Sequence, residues 1–274
     1  MRVSCQASRM ADSMGAICDD LAAEHDALDA LVAPLSEAEW KRDTPAVGWT
    51  IQDQIGHLAY FDGTATLALV DPDAFNASVE GLLAHLDEGD PTLREARAMR
   101  GAELLERWRA GRAMLLDELR GTDPKARVPW YGPPMSAVSF ATARLMETWA
   151  HGQDVVDALG SRREPSDRLR HVAHIGVRAR PFSYVTNARA VPDGEVRVEL
   201  RAPSGEVWIW NESATDRVTG DALDFCLVVT QRRHVDDTNL VVEGPLAADW
   251  IAIAQAFAGP PGAGREPGQV TGSR

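Results

Sequence analysis

Ala141-Thr-Ala-Arg-Leu-Met-Glu-Thr-Trp-Ala-His-Gly-Gln-Asp154 is the stretch on which the reading of this chain turns. It reads as helix, and it spaces Glu147 and His151 four residues apart. That spacing puts both side chains on one helical face, one turn from each other. A carboxylate oxygen and an imidazole nitrogen so placed can share one divalent cation. Far upstream, a second helical run, Gln54-Ile-Gly-His-Leu-Ala-Tyr60, offers His57. Two histidines and one carboxylate leave a coordination position open, which separates catalytic metal sites from structural ones. Zinc suits these ligand types best, while Ni²⁺, Fe²⁺ and Mn²⁺ also accept imidazole with carboxylate.

Around these two runs the chain organises as helices. Residues Met14 to Ala33 repeat apolar positions at helical spacing (Ile17, Leu21, Ala22, Leu28, Leu31, Val32) until Pro34 ends the run. Ser36-Glu-Ala-Glu39 has the form of a capping box leading to Trp40, and Thr50-Ile-Gln-Asp53 opens a helix predicted to reach Val70. In that helix Ile51, Ile55, Leu58, Asp62, Ala65 and Leu69 form one stripe, and Gln54, His57 and Phe61 the adjacent one. His57 therefore borders the buried face. A short helical piece is expected from Val79 to His85. Another helix spans Gly101 to Arg120, with Leu104, Leu105, Trp108, Met114, Leu115 and Leu119 inward. Val128-Pro-Trp-Tyr-Gly-Pro-Pro134 cannot be helix, because three prolines and a glycine break it. It delivers Trp130 and Tyr131 to the last helix, Ser136 to Leu159, which Gly160 stops. Four long helices with short connections predict a four-helix bundle, whose facing helices commonly host metals.

After the polar linker Ser161-Arg-Arg-Glu-Pro165 the pattern changes. Asp167 to Arg180 reads as helix. Glu195–Leu200 and Glu206–Trp210 alternate with period two around a hairpin turn at Pro203-Ser-Gly205. An apolar helix from Gly220 to Arg232, a strand at Leu240–Glu243 and a helix from Pro245 to Phe257 follow. The expected architecture is α+β: a helix bundle over 14–160 and a smaller α/β domain over 165–260, with loose termini at 1–13 and 261–274.

The 274 residues are 45% hydrophobic and 25% charged, an ordinary globular composition. A formal charge of −13 argues against nucleic acid or anionic membranes as partners. No apolar run has the length of a membrane span, and Met1 to Ser13 lack the apolar core of a signal peptide. Three scattered cysteines, Cys5, Cys18 and Cys226, fit a reducing cytosol better than a disulfide framework. The expectation is a cytoplasmic protein.

Each candidate residue also has a plainer reading. Glu147 shares a face with Phe140, Ala143 and Ala158, and a buried carboxylate needs a partner. A metal answers that need; so does an ion pair, with Arg144 as the local candidate. Asp154, one turn beyond His151, is a candidate to accept the other ring N–H of that histidine, or is a solvated carboxylate. Asp53 reads as a helix cap. Trp130 and Tyr131 either wall a substrate pocket or pin their loop to the core. Arg232-Arg233-His234 ends an apolar helix, where cations complement the helix dipole; Arg232 is also a candidate anion contact. His171 reads as surface, and no third ligand lies near His174 in sequence.

The pairing of Gly48-Trp-Thr, Asp53-Gln and His57-Leu-Ala with Ala143-Arg-Leu-Met-Glu-Thr-Trp-Ala-His151-Gly-Gln-Asp154 resembles the mycothiol-dependent maleylpyruvate isomerase family. The N-terminal half of that family belongs to the DinB-like metal-binding bundles. The resemblance covers residues 14–160 and is closest to an uncharacterised actinobacterial branch of metal-binding proteins. It implies zinc held by His57, Glu147 and His151, and mycothiol or another low-molecular-weight thiol as cosubstrate. The implied activity is isomerisation of, or S-transfer to, a small electrophilic substrate, with Asp154 and Arg144 as candidate catalytic groups. The alternatives are a hydrolase or lyase with metal-activated water, a non-enzymatic metal or small-molecule-binding protein, and a structural protein with a buried Glu–Arg pair.

Overall fold

The structure is a computed structural model that describes residues 2–83, 91–262 and 264–269. The chain divides into two compact units, Met1–Leu159 and Gly160–Arg274.

In the first unit the helices are α1 (Arg2–Val32), α2 (Glu37–Trp40), α3 (Ile51–Val70), α4 (Pro72–Leu83), α5 (Pro91–Ala98), α6 (Gly101–Gly121) and α7 (Ala137–Leu159). A two-stranded ribbon, β1 (Arg127–Val128) and β2 (Met135–Ser136), precedes α7 and holds the Pro-rich loop between its strands. The long helices α1, α3, α6 and α7 pack on one another as a bundle.

The termini of α3 are set locally. Thr50 accepts from the backbone N–H of Asp53, and the Asp53 carboxylate accepts from the backbone N–H of Thr50, a reciprocal capping box. At the other end Asp71 closes α3, and its carboxylate accepts from Ala74 N–H at 3.0 Å to begin α4. The apolar stripe of α3 then buries Ile51, Ile55 and Leu58 against Leu28 and Val32 of α1, Leu104 and Trp108 of α6, and Val155 of α7. Full burial of such side chains contributes about 1.5–3 kcal/mol each. Gly56 is required where it stands: a Cβ there would overlap Ala96, so its absence lets α5 lie against α3. Gln52 completes that contact by donating to the Met99 carbonyl at 3.0 Å.

Several expectations are corrected here. Residues 2–13, expected as a loose extension, continue α1 as helix; no proline or glycine interrupts them. Helix α5 was not foreseen, and α4 starts at Pro72, earlier than the piece expected from Val79. That piece lies in α4 as far as Leu83; beyond it, the expectation falls outside the described residues. Met114 is 60% exposed, not inward, while Leu116 is buried instead. No helix of the described residues is long and apolar enough to cross a membrane.

The second unit holds α8 (Leu169–Arg178), α9 (Arg180–Thr186), α10 (Ala222–Val229), α11 (Pro245–Ile251) and strands β3 (Arg197–Arg201), β4 (Val207–Trp210), β5 (Arg217–Asp221) and β6 (Val241–Glu243). The sheet order is β4-β3-β5-β6, with β3 antiparallel to β4 and parallel to β5. Its inner face buries Val198, Leu200, Trp208 and Val218; its outer face carries the pairs Arg201–Asp221 and Arg217–Glu243. The β3–β4 hairpin turns where the alternation breaks, at Gly205 with φ +90°. Strand β5 escaped the sequence reading because Arg217-Val-Thr-Gly-Asp221 is short and carries a single buried hydrophobe, Val218. Helices α10 and α11 end earlier than expected, at Val229 and Ile251. For α10 the cause is a Schellman turn: Gln231, at φ +60°, donates to Val228 O, and Arg232 N–H donates to Leu227 O.

Candidate metal centre

Helices α3 and α7 bring His57, Glu147 and His151 together, and one ligand atom from each lies within 4.8 Å of the others. Glu147 Oε2 is 3.2 Å from His151 Nε2 and 3.9 Å from His57 Nε2. Donors around one tetrahedral zinc stand roughly 3.3–3.5 Å apart, given metal–ligand bonds near 2.0–2.2 Å. The three groups therefore fit a single ion of that size with little movement. His57 and Glu147 side chains remain 19% and 21% exposed, whereas His151 is more deeply set, at 11%. The opening to solvent is on the His57–Glu147 side.

The rings around the cluster are aromatic. Trp49 lies 5.9 Å from the His151 ring and nearly parallel to it, and 5.2 Å from the His57 ring. Phe61, one turn along α3, packs on His57 at 4.5 Å. Burial pushes the Glu147 carboxyl toward protonation. Hydrogen bonds and charge from His151 and His57 outweigh it and hold the group well below the usual carboxylate range.

Arg144 is not the partner of Glu147. It donates from Nη2 and Nε to Asp62 Oδ1 at 2.8 and 3.1 Å, inside the bundle. Trp108 Nε1 takes the other oxygen of Asp62 at 3.1 Å. Among the described residues, the partners of Glu147 are the two histidines alone. The second ring nitrogen of His151, Nδ1, lies 2.6 Å from Gln54 Oε1. Asp154 is buried on α7. Gln54 in turn donates from Nε2 to Thr44 Oγ1 at 2.9 Å.

The Trp130–Tyr131 loop reaches the cluster through one ring. Trp130 stacks on Phe75 at 5.5 Å and meets Phe140 edge-on at 4.9 Å; Tyr131 meets Phe61 at 5.4 Å. The Tyr131 hydroxyl is pushed up to about 12, chiefly by burial, with Thr64 and Tyr60 as hydrogen-bond neighbours. In the second unit Arg232 donates to the Thr230 carbonyl at the end of α10, and His174 accepts from Trp210 Nε1 at 3.2 Å.

Sequence reasoning missed Thr44 and Gln54 as parts of this site and held Trp49 only as a motif residue. Gln54 had a signal available: it stands three residues before His57 on the same stripe of α3. Thr44 had none, because a loop residue has no period.

A family model described as the mycothiol maleylpyruvate isomerase N-terminal domain matches residues 21–156. Uncharacterized proteins from two strains of Mycobacterium tuberculosis are each 48% identical over 258 residues, which is 93% of this chain and 100% of theirs. Crystal structures of the mycothiol-dependent maleylpyruvate isomerase and of a mutant of it share the fold at TM-score 0.55, with 14% and 15% identity. They cover 85% of this chain and 95% of those chains. The helical unit and the smaller sheet-containing unit thus both have counterparts in a known scaffold, and the chain belongs to the mycothiol maleylpyruvate isomerase N-terminal domain family.

Proposed function

We propose that this chain is a metal-dependent enzyme that uses a small thiol, such as mycothiol, to isomerise or to accept transfer onto a small electrophilic substrate. The observation that carries the reading is the company Glu147 keeps. Its carboxylate faces imidazole nitrogens at 3.2 and 3.9 Å and, among the described residues, pairs with no lysine or arginine. With Gln54 Oε1 against Nδ1 of His151, the neutral ring turns the lone pair of Nε2 toward the carboxylate. In that neutral form two acceptors face each other, an arrangement that a cation between them relieves. His57, Glu147 and His151 would hold a divalent cation, with zinc the best match to the donor set.

Such a cation supplies charge that favours thiolate over thiol and polarises a substrate carbonyl or carboxylate. The protein's own residues do the rest. Trp49 and Phe61 flank the imidazoles and keep water from their faces. The partly exposed His57–Glu147 edge receives the ligands. In an isomerisation, thiolate sulfur adds to an activated C=C, and the π pair moves to the conjugated carbonyl. The former double bond rotates, and the same C–S bond breaks to return thiolate and the other isomer. In a transfer, the adduct takes up a proton and is released.

The test is turnover of maleylpyruvate and of small α,β-unsaturated acids with and without mycothiol, in the zinc-loaded protein. Thiol-dependent turnover that is lost in Glu147→Ala supports the reading. Hydrolytic turnover without thiol would replace it with a water-activating enzyme, and zinc binding without any turnover would replace it with a binding protein.

A further inference from the structure

The loop before α3 decides which nitrogen of His151 is available. Thr44 donates both its backbone N–H and its hydroxyl to the carbonyl of Trp49, each at 2.8 Å. A threonine hydroxyl has one proton. Once that proton is committed to Trp49, Thr44 Oγ1 only accepts, and it accepts from Gln54 Nε2 at 2.9 Å. The Gln54 side chain is fully buried, so no water competes for its amide. With its NH₂ held toward Thr44, the amide presents Oε1 to His151 Nδ1 at 2.6 Å. A carbonyl oxygen cannot donate, so Nδ1 carries the ring proton and Nε2 carries the lone pair.

We propose that Gln54, oriented by Thr44 and the Trp49 carbonyl, is a positioning residue that locks His151 in its Nδ1–H tautomer and so presents Nε2 to the cation site. The inference rests on the reading of His57, Glu147 and His151 as a cation site, but its first readout needs no metal. An amide in this place does what a carboxylate does beside many metal-bound histidines: it fixes tautomer and ring orientation, without adding a further negative charge next to Glu147. The buried N-terminal turn of α3 makes the arrangement rigid, since the reciprocal Thr50–Asp53 capping box closes that turn.

The experiment is a two-bond ¹H–¹⁵N correlation on metal-free, ¹⁵N-histidine-labelled protein at mildly alkaline pH, followed by Zn²⁺ titration against a chelating dye. In the wild type His151 should show the Nδ1–H pattern. In Gln54→Leu the proton should be found on both nitrogens or on Nε2, with Zn²⁺ affinity down about 10–100-fold, and Gln54→Glu should restore Nδ1–H. Thr44→Val, remote from the ligand atoms, should loosen the tautomer preference while leaving the helical content unchanged, so a folding defect in Gln54→Leu does not shield the proposal. An Nε2–H tautomer in the wild type overturns it, as does wild-type tautomer and affinity in both Gln54→Leu and Thr44→Val. A clean Nδ1–H pattern in a protein that binds no Zn²⁺ would retain the tautomer lock and remove the cation site.

Discussion

Helices α3 and α7 carry two polar clusters at neighbouring levels of the same bundle, and they handle buried charge in opposite ways. At one level Asp62 is fully enclosed, and every carboxylate oxygen is occupied: Arg144 binds Oδ1 and Trp108 binds Oδ2. At the other level, a turn away on α7, Glu147 meets only imidazoles among the described residues and stays open to solvent on one edge. The first cluster is complete as it stands. The second holds its carboxylate by imidazoles, whose place toward the carboxylate a shared cation can take over from a proton. The same two helices thus provide a closed ion pair that holds the bundle and an open constellation suited to chemistry.

The sharpest way to break this comparison is to open the closed cluster. Arg144→Met leaves Asp62 buried without its cation and should cost about 3–5 kcal/mol in urea unfolding. Glu147→Gln, in metal-free protein, should cost less than Arg144→Met, because its site is partly solvated and leaves no unpaired buried charge. Equal losses from both would contradict the distinction.

His25 sharpens it further. It stands on α1 beside the closed cluster, edge-on to Trp108 at 5.8 Å and 3.9 Å from Asp62, with neither ring nitrogen hydrogen-bonded. Burial lowers its pKa from 6.5 to about 4, against the pull of Asp62. Between those values the unfolded chain binds a proton that the native chain refuses. Stability is therefore intact above pH 6.5 and falls as pH drops toward 4, by about 3 kcal/mol from this residue alone. Chemical denaturation across this window in wild type and His25→Phe should show that slope only in the wild type; parallel curves would remove His25 as its source.

How much of this was legible in the sequence divides along similar lines. The limits of α3 were readable because Thr50 and Asp53 cap one end and Asp71-Pro72 close the other. The grouping of Glu147 with His151 was readable because helical periodicity fixes which residues share a face. Periodicity says nothing of partners on other helices. That is why Arg144 was offered to Glu147, its neighbour in sequence, when Asp62 of α3 holds it. It is also why Gln54 of α3, which stands against the His151 ring, went unnoticed as its neighbour. Short elements failed for lack of signal: β5 and α5 span too few residues for a period to emerge, and Met114 fell on the outer side of a stripe that looked continuous.

Two smaller effects bear on the open cluster. Zinc at a hundredfold excess over its dissociation constant should stabilise the wild type by about 2.7 kcal/mol, read as a rise in melting temperature, with no rise in Glu147→Ala. Thr50→Ala removes the cap of the helix that supplies both clusters and should cost about 1 kcal/mol in urea unfolding, with Zn²⁺ stoichiometry unchanged.

The most direct test of the central claim, that α3 and α7 build a cation site, is elemental analysis of the purified, untagged protein. The account predicts one zinc or similar divalent ion per chain, and none in the Glu147→Ala/His151→Ala double variant. A wild type that takes up no metal after incubation with Zn²⁺ or Ni²⁺, or a double variant that keeps its full complement, would contradict it.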